Sequence, residues 1–140
     1  MDLYKKAEQL LNSYVAMKVE IENSMLEIRE IEADNDIKSI NLDEKSSKTN
    51  RVNKEVENKV INKPDRIRYY NYIINKNEVI IEKIENSTKV LTQLEKDVIE
   101  LKYFNNPILN RKDISSKIQL TPAAIDKIKI RAIQKMMRFL

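Results

Sequence analysis

The chain has 140 residues, 34% of them charged, with three prolines and no glycine, cysteine or histidine. The missing cysteine and histidine exclude disulfides, thiolate zinc sites, Ser-His or Cys-His nucleophile pairs and imidazole acid–base chemistry. The missing glycine disfavours the left-handed turns of β-hairpins and phosphate loops. We therefore expect an all-α protein that forms one ordinary domain, or one small domain on a long helical extension. Only a carboxylate-based catalyst would remain possible, and the paired carboxylates have the pattern of solvated surface charges, so we expect no enzyme, no cofactor and no metal ion.

The net charge of +4 is distributed unevenly along the chain. Residues 110–140 hold eight lysines and arginines against two aspartates, a net charge of +6, whereas the rest of the chain carries −2. A basic helical segment on a mildly acidic body is typical of a protein that binds a polyanion. Double-stranded DNA is the leading candidate partner.

The first predicted helix spans residues 2–34, where apolar side chains recur at alternating steps of three and four. This seam comprises Leu3, Ala7, Leu10, Tyr14, Met17, Ile21, Ile28 and Ile31, with Ser24 as a polar interruption. Residues 35–51 lose the period and turn polar, which predicts a flexible loop.

A second seam follows a weaker helical pattern at residues 52–62 and a restart at Pro64. It comprises Ile67, Tyr70, Ile74, Asn77, Ile81, Ile84, Thr88 and Leu91. Two seams joined by a long loop predict an antiparallel helical hairpin over residues 1–91, or a homodimer in which four helices meet. Asn77 would then fix the register at some cost in stability.

The segment "RIRYYNYIINKN" mixes basic and aromatic residues from Arg66 to Asn77. Such a mixture can stack on unpaired bases. The favoured interpretation is structural, with Tyr70 on the seam and with Tyr69 and Tyr72 flanking it.

Three short helices with clear boundaries are predicted after Leu91. Thr92 and Glu95 form a capping box that opens "TQLEKDVIELKYF", where Leu94, Val98, Leu101 and Tyr103 mark an apolar face. The triplet "NNP" at residues 105–107 ends that helix, and Asn110 can cap the next. Thr121 then caps a last helix that has Pro122 at its first position.

The last two helices, joined by a turn at residues 119–121, predict a helix-turn-helix. In the longer and more basic second helix, the apolar stripe comprises Ile125, Ile128, Ala132 and Met136. The other faces hold Ala123, Asp126, Lys127, Ile130 and Arg131. Residues 92–140 are therefore expected to form a DNA-binding domain.

The stretches "LEKDVIELKYF" and "NRKDISSKIQLTPAAIDKIKIRAIQKMM" resemble the fourth region of bacterial sigma factors, the helix-turn-helix domain that binds the upstream promoter element. The resemblance covers about a third of the chain, from Thr92 to Arg138. A free-standing copy behind a long helical segment is also similar to small phage and prophage late transcriptional regulators of the ArpU and RinA type. The resemblance implies a transcription regulator that acts on promoter DNA.

When the sigma-family pattern is matched to this sequence, its base-contacting positions correspond to Pro122, Ala123, Asp126 and Lys127, with Arg131 one turn further along the helix. Together with the neighbouring polar and basic side chains, the expected DNA-binding residues are Arg111, Lys112, Lys117, Thr121, Pro122, Ala123, Asp126, Lys127 and Arg131. At the positions of Pro122, Ala123 and Ala124, sigma factors usually carry polar or charged side chains that contact bases. Direct readout is then limited to Lys127, Asp126 and a contact of Ala123 with a thymine methyl group.

Nothing in the chain resembles the sigma regions that melt promoters or grip the polymerase clamp. We therefore expect a regulator that recruits or modifies an existing host RNA polymerase complex rather than a complete sigma factor. Two other interpretations stay open: an oligomer similar to phage terminase small subunits, and a coiled-coil interaction protein. With no signal-peptide pattern and no apolar run of about 20 residues, we expect a cytoplasmic protein that does not bind a membrane.

Overall fold

The computed structural model describes residues 2–40, 63–105 and 107–140, without the side chains of residues 35–40. Six α-helices lie in these ranges: α1 Leu3–Asn12, α2 Tyr14–Ile40, α3 Lys63–Ser87, α4 Gln93–Ile99, α5 Arg111–Ile118 and α6 Pro122–Met136. Two 3-10 helices, Thr88–Val90 and Met137–Phe139, and a π-helical turn at Glu100–Phe104 extend them. None of these residues forms a strand, so the all-α prediction is confirmed for them.

Contacts between residues divide the chain into two compact units. The first combines Met1–Val19 with Glu78–Leu140, and the second is Glu20–Asn77. The sequence prediction instead placed a boundary between residues 91 and 92. The first unit thus joins the N-terminal helix to the C-terminal helices.

The predicted helix at residues 2–34 is interrupted at Ser13, which separates α1 from α2. The backbone nitrogen of Ser13 donates to the carbonyls of Gln9 and Leu10, and its hydroxyl donates to the carbonyl of Gln9. A serine hydroxyl that competes for a carbonyl of the preceding turn often bends a helix.

α1 packs against α6, the π-helical turn and the 3-10 helix Met137–Phe139. Its buried residues are Ala7 and Leu11, whereas Leu10 is half-buried and Leu3 is 64% exposed. The seam prediction was therefore wrong for Leu3 and missed Leu11. The physical reason is that α1 follows the surface of α6 instead of continuing the seam of α2.

The start of α2 and the end of α3 meet in the first unit. The hydroxyl of Tyr14 donates a 2.7 Å hydrogen bond to Oε1 of Glu85, and its ring lies 4.1 Å from the ring of Phe104 between centroids. Burial raises the pKa of Tyr14. The predicted seam residues Ile81, Ile84 and Leu91 are buried in this unit.

The second unit contains α2 from Glu20 and α3 up to Asn77. Its buried residues are Ser24, Ile31, Ile74 and Asn77, and each belongs to a predicted seam. Within the described residues, Nδ2 of Asn77 has no hydrogen-bond partner. Burial at these seam positions is therefore confirmed, while the hairpin and the homodimer stay predictions.

The predicted loop at residues 35–51 begins later than expected, because α2 runs through Ile40. No glycine or proline lies between residues 35 and 40, so nothing there stops helical hydrogen bonding. Residues 41–51 of that loop and the weak helix at 52–62 lie outside the described residues.

Among the residues described, no helix is both long enough and apolar enough to cross a membrane. The same residues contain no group of three or more carboxylates that could hold a metal ion.

Candidate nucleic-acid interface

The first helix of the candidate interface, α5, begins where the sequence predicted. The side-chain oxygen of Asn110 accepts a 2.9 Å hydrogen bond from the backbone nitrogen of Asp113, which satisfies one of the free N–H groups of the first turn. The helix ends at Gln119, whose φ of 64° and ψ of 40° are left-handed. Among the described residues Gln119 alone has a positive φ, in a chain that has no glycine to take that position.

The turn between α5 and α6 is closed around Ser115. The backbone nitrogens of Gln119 and Leu120 donate to the carbonyl of Ser115 at 2.9 and 3.2 Å. The hydroxyl of Ser115 in turn donates to the carbonyl of Leu120. These bonds satisfy carbonyl and amide groups that a helix end otherwise leaves free, so the turn between the two helices is tightly defined.

The second helix, α6, begins at Pro122. The hydroxyl of Thr121 accepts a 3.2 Å hydrogen bond from the backbone nitrogen of Ala124, which confirms the predicted cap. Proline loses nothing at the first helical position, because its missing N–H would have had no partner there. The start of α6 is thus fixed directly after the turn.

A small core holds α4, α5 and α6 together. Val98, Ile114 and Ile125 are buried in it, one from each helix. The partly buried residues packed around them are Leu101, Leu109, Ile118, Leu120 and Ile128. This packing fixes the angle at which α6 leaves the turn.

The capping box of α4 is confirmed and has an additional partner. Oε1 of Glu95 accepts hydrogen bonds from the backbone nitrogen of Thr92 at 2.9 Å and from Nζ of Lys135 at 2.8 Å. The predicted apolar face is corrected at two positions, because Leu94 is exposed and Ile99 is fully buried. Ile99 and Ile133 are buried outside this three-helix core, and α6 also packs against α1 and the two 3-10 helices.

One side of α6 is exposed along the whole helix, and we call it the outer face. It consists of Ala123, Lys127, Ile130, Arg131 and Gln134, all of them exposed. The opposite side holds the buried residues Ile125, Ala132, Ile133 and Met136. The outer face thus presents two cations and an apolar residue, Ile130, to solvent.

The structure brings most of the predicted DNA-binding residues to the surface. Thr121, Ala123, Lys127 and Arg131 are exposed, and Pro122 is half-buried at the start of α6. The predicted contacts on α5, Lys112 and Lys117, are also exposed. None of the ion pairs among the described residues includes Lys112, Lys117, Lys127 or Arg131.

Two other predicted residues, Arg111 and Asp126, contact each other. Nη1 of Arg111 lies 2.8 Å from Oδ2 of Asp126, and the pair joins the first residue of α5 to α6. Fifteen positions separate them in the chain, so helical spacing gave no sign of this contact. The charge of Asp126 is compensated within the protein.

The sequence prediction did not include Ile130 and Gln134 among the candidate contacts. Both lie on the outer face with Ala123 and Lys127. The repeated steps of four, three and four from Ala123 to Gln134 could have identified them, because such steps share one side of a helix.

No protein family, curated protein or solved structure matches this chain.

Proposed function

We propose that the protein is a DNA-binding transcriptional regulator of the phage or prophage type. In this proposal α5 and α6 are the helix-turn-helix, and the outer face of α6 enters the major groove of promoter DNA. The observation that carries the proposal is the outer face itself, which projects Lys127 and Arg131 from a helix that is capped and positioned at its start. The action on host RNA polymerase rests on the resemblance to the fourth sigma region.

The distribution of charge supports DNA as the partner. Lys112, Lys117, Lys127 and Arg131 are exposed cations on the two helices of the motif. A protein that neutralises phosphates with lysine and arginine releases condensed counterions, and its affinity then falls with salt. The outer face also offers apolar contact through Ala123 and Ile130, which suits the methyl group of thymine.

The proposed function is tested by fluorescence anisotropy of the full-length protein with a short labelled duplex. With about five phosphate contacts, the logarithm of the affinity should fall with the logarithm of salt concentration at a slope of about −4 to −5. The four exposed cations of the motif that belong to no ion pair among the described residues would supply four of these contacts. An affinity independent of salt, or no binding at low salt, would overturn the proposal.

A matched pair of variants locates the interface. One variant replaces Lys112, Lys117, Lys127 and Arg131 with alanine, and we expect it to lose most of its affinity for the duplex. The control replaces four exposed lysines elsewhere in the same unit, Lys5, Lys6, Lys83 and Lys89, with alanine. Both variants lose four positive charges. An equal loss of affinity would therefore show that DNA binding depends on the net charge of the protein and not on this interface.

The proposal includes a homodimer formed through the N-terminal helices. Light scattering of the eluting protein measures its mass directly. A dimer supports this part of the proposal, a monomer removes it, and a ring of many subunits favours the alternative of an oligomer similar to terminase small subunits.

A further inference from the structure

The ion pair between Arg111 and Asp126 lies within the proposed DNA-binding motif. Its 2.8 Å hydrogen bond links the first residue of α5 with the second turn of α6. Both side chains reach solvent, since that of Arg111 is 58% exposed and that of Asp126 is 37% exposed. The pair is therefore accessible to a ligand that lies against α6.

Asp126 presents an electrostatic problem for a helix that binds DNA. It is the single acidic residue of α6, and it directly precedes Lys127. A free carboxylate within a Debye length of about 8 Å of the phosphates would oppose binding at physiological salt. The contact with Arg111 removes most of that repulsion, because the two charges compensate each other.

Arg111 keeps most of its hydrogen-bonding capacity in this pair. A guanidinium carries five N–H donors in a planar fork, and the hydrogen bond to Asp126 uses Nη1. The remaining donors are free to bind phosphate, for which the planar fork is well suited. Without its partner, the long arginine side chain would sample many rotamers and would lose entropy on binding.

We propose that Asp126 is a positioning residue, which holds the guanidinium of Arg111 beside the first turns of α6 so that it binds a phosphate of the DNA backbone. Arg111 is then the fifth phosphate contact, beside Lys112, Lys117, Lys127 and Arg131. This inference rests on the proposed function, because it assumes that α6 lies in the groove. It differs from the sequence expectation that Asp126 reads a base.

Two simpler roles for Asp126 make different predictions. If Asp126 only repels phosphate, its neutralisation should strengthen DNA binding whether or not Arg111 is present. If the pair only supports the fold, the same change should weaken binding through loss of folded protein. If Asp126 positions Arg111, neutralising Asp126 should weaken DNA binding when Arg111 is present and strengthen it when Arg111 is absent.

The test is a double-mutant cycle with the full-length protein: wild type, Asp126→Asn, Arg111→Ala and the double variant. Each is titrated into the same labelled duplex at salt concentrations between about 50 and 200 mM. We expect Asp126→Asn to weaken binding by about fivefold when Arg111 is present. In the Arg111→Ala background the same substitution should strengthen binding by about twofold, since it then only removes repulsion. Arg111→Ala should also reduce the salt slope by about one unit.

Asp113→Asn is the matched control. Asp113 is an exposed acid in the first turn of α5, and it belongs to none of the ion pairs among the described residues. Its neutralisation removes the same charge and should leave DNA binding unchanged or slightly stronger in both backgrounds. Circular dichroism melting should place all variants close to the wild type, because an exposed ion pair contributes little to stability.

The outcomes separate this inference from the proposed function. If the wild type does not bind the duplex, the proposed function fails. If the wild type binds with the expected salt slope, but Asp126→Asn acts with the same sign or has no effect in both backgrounds, the positioning role alone is overturned.

Discussion

Lys135 donates a 2.8 Å hydrogen bond to Oε1 of Glu95, and this ion pair ties the last turn of α6 to the first turn of α4. The side chain of Glu95 is 5% exposed, so the carboxylate lies almost entirely inside the protein. The same oxygen also accepts a hydrogen bond from the backbone nitrogen of Thr92. One of the cations of the basic C-terminal segment is therefore used to hold two helices together.

Because Glu95 is ionised in its pair with Lys135, we expect the free energy of unfolding to depend on pH. Burial raises the pKa of Glu95, but the hydrogen bonds from Lys135 and Thr92 outweigh it and leave the pKa below its usual value. A carboxyl group whose pKa is lower in the folded state stabilises the fold above its unfolded pKa of about 4.3. That contribution is lost as the pH falls through the folded-state pKa.

We therefore expect Glu95→Gln to lower the free energy of unfolding by about 1–3 kcal/mol at neutral pH. The difference from the wild type should shrink as the pH falls from about 4.3 through the folded-state pKa, because the carboxyl group is protonated in both states only below that pKa. Urea unfolding at several pH values measures this difference. Glu100→Gln, on the exposed side of the π-helical turn, is the control and should show little effect at any pH. A difference that stays constant across pH would contradict the role of the ionised carboxylate.

Lys127 and Arg131 should have separable roles on DNA. They lie four residues apart on the outer face of α6, and Lys127 is nearer the end that enters the groove. Lys127→Ala should cost about 1–3 kcal/mol on the preferred site and much less on random duplex, because it loses a guanine contact. Arg131→Ala should weaken both by the same factor and reduce the salt slope by about one unit.

The two variants are compared on specific and scrambled duplexes at several salt concentrations. Gln9→Ala, at an exposed uncharged position of α1 away from the outer face, serves as the control for loss of a side chain without loss of charge. Identical patterns for Lys127→Ala and Arg131→Ala would show that the outer face does not dock in the groove in this way.

The packing of α1 on α6 makes the N-terminal helix part of the proposed DNA-binding unit. Leu11 is fully buried, so Leu11→Ala should lower the free energy of unfolding by about 2–5 kcal/mol. Leu3→Ala on the same helix should change it by less than about 0.5 kcal/mol, because Leu3 is exposed. Thermal unfolding of the two variants gives the comparison, and equal effects would mean that α1 does not pack as described.

The second unit should depend on its two buried isoleucines. Ile31→Asp or Ile74→Asp places a charge among buried side chains and should cost about 3 kcal/mol or more. Leu26→Asp introduces the same charge at an exposed position of α2 and should preserve the helix content. Circular dichroism distinguishes them, and a Leu26→Asp variant that unfolds as readily as Ile31→Asp would show that the buried face was misassigned.

The left-handed backbone of Gln119 predicts that replacing this residue with glycine raises the free energy of unfolding. A residue with a side chain is strained at a φ of 64°, whereas glycine is not, so Gln119→Gly should add about 0.5–1 kcal/mol to the free energy of unfolding. Gln134→Gly in the interior of α6 should instead remove about 1 kcal/mol, since glycine weakens a helix there. If both substitutions destabilise the protein, the strain at Gln119 does not limit its stability.

Features that depend on near neighbours in the chain could be predicted from the order of the residues. A capping side-chain oxygen accepts a hydrogen bond from the backbone N–H three residues further along the chain. Thr92, Asn110 and Thr121 could therefore be identified as helix starts from the local sequence alone. The second seam also follows from local period, and its members Ile74, Asn77, Ile81 and Ile84 in α3 are buried as that period predicts, as is Leu91 beyond the helix.

Contacts between side chains that are distant in the chain became visible only in the folded protein. Local spacing carries no information on pairs such as Arg111 with Asp126, or Lys135 with Glu95, which are separated by 15 and 40 positions. The packing of α1 on α6 likewise has no local signal, and it buries Leu11 where the predicted heptad seam placed Leu10. The charge of the C-terminal segment follows from composition. Which of its cations are paired within the protein is decided by these long-range contacts, because two of the eight, Arg111 and Lys135, form ion pairs with carboxylates of other helices.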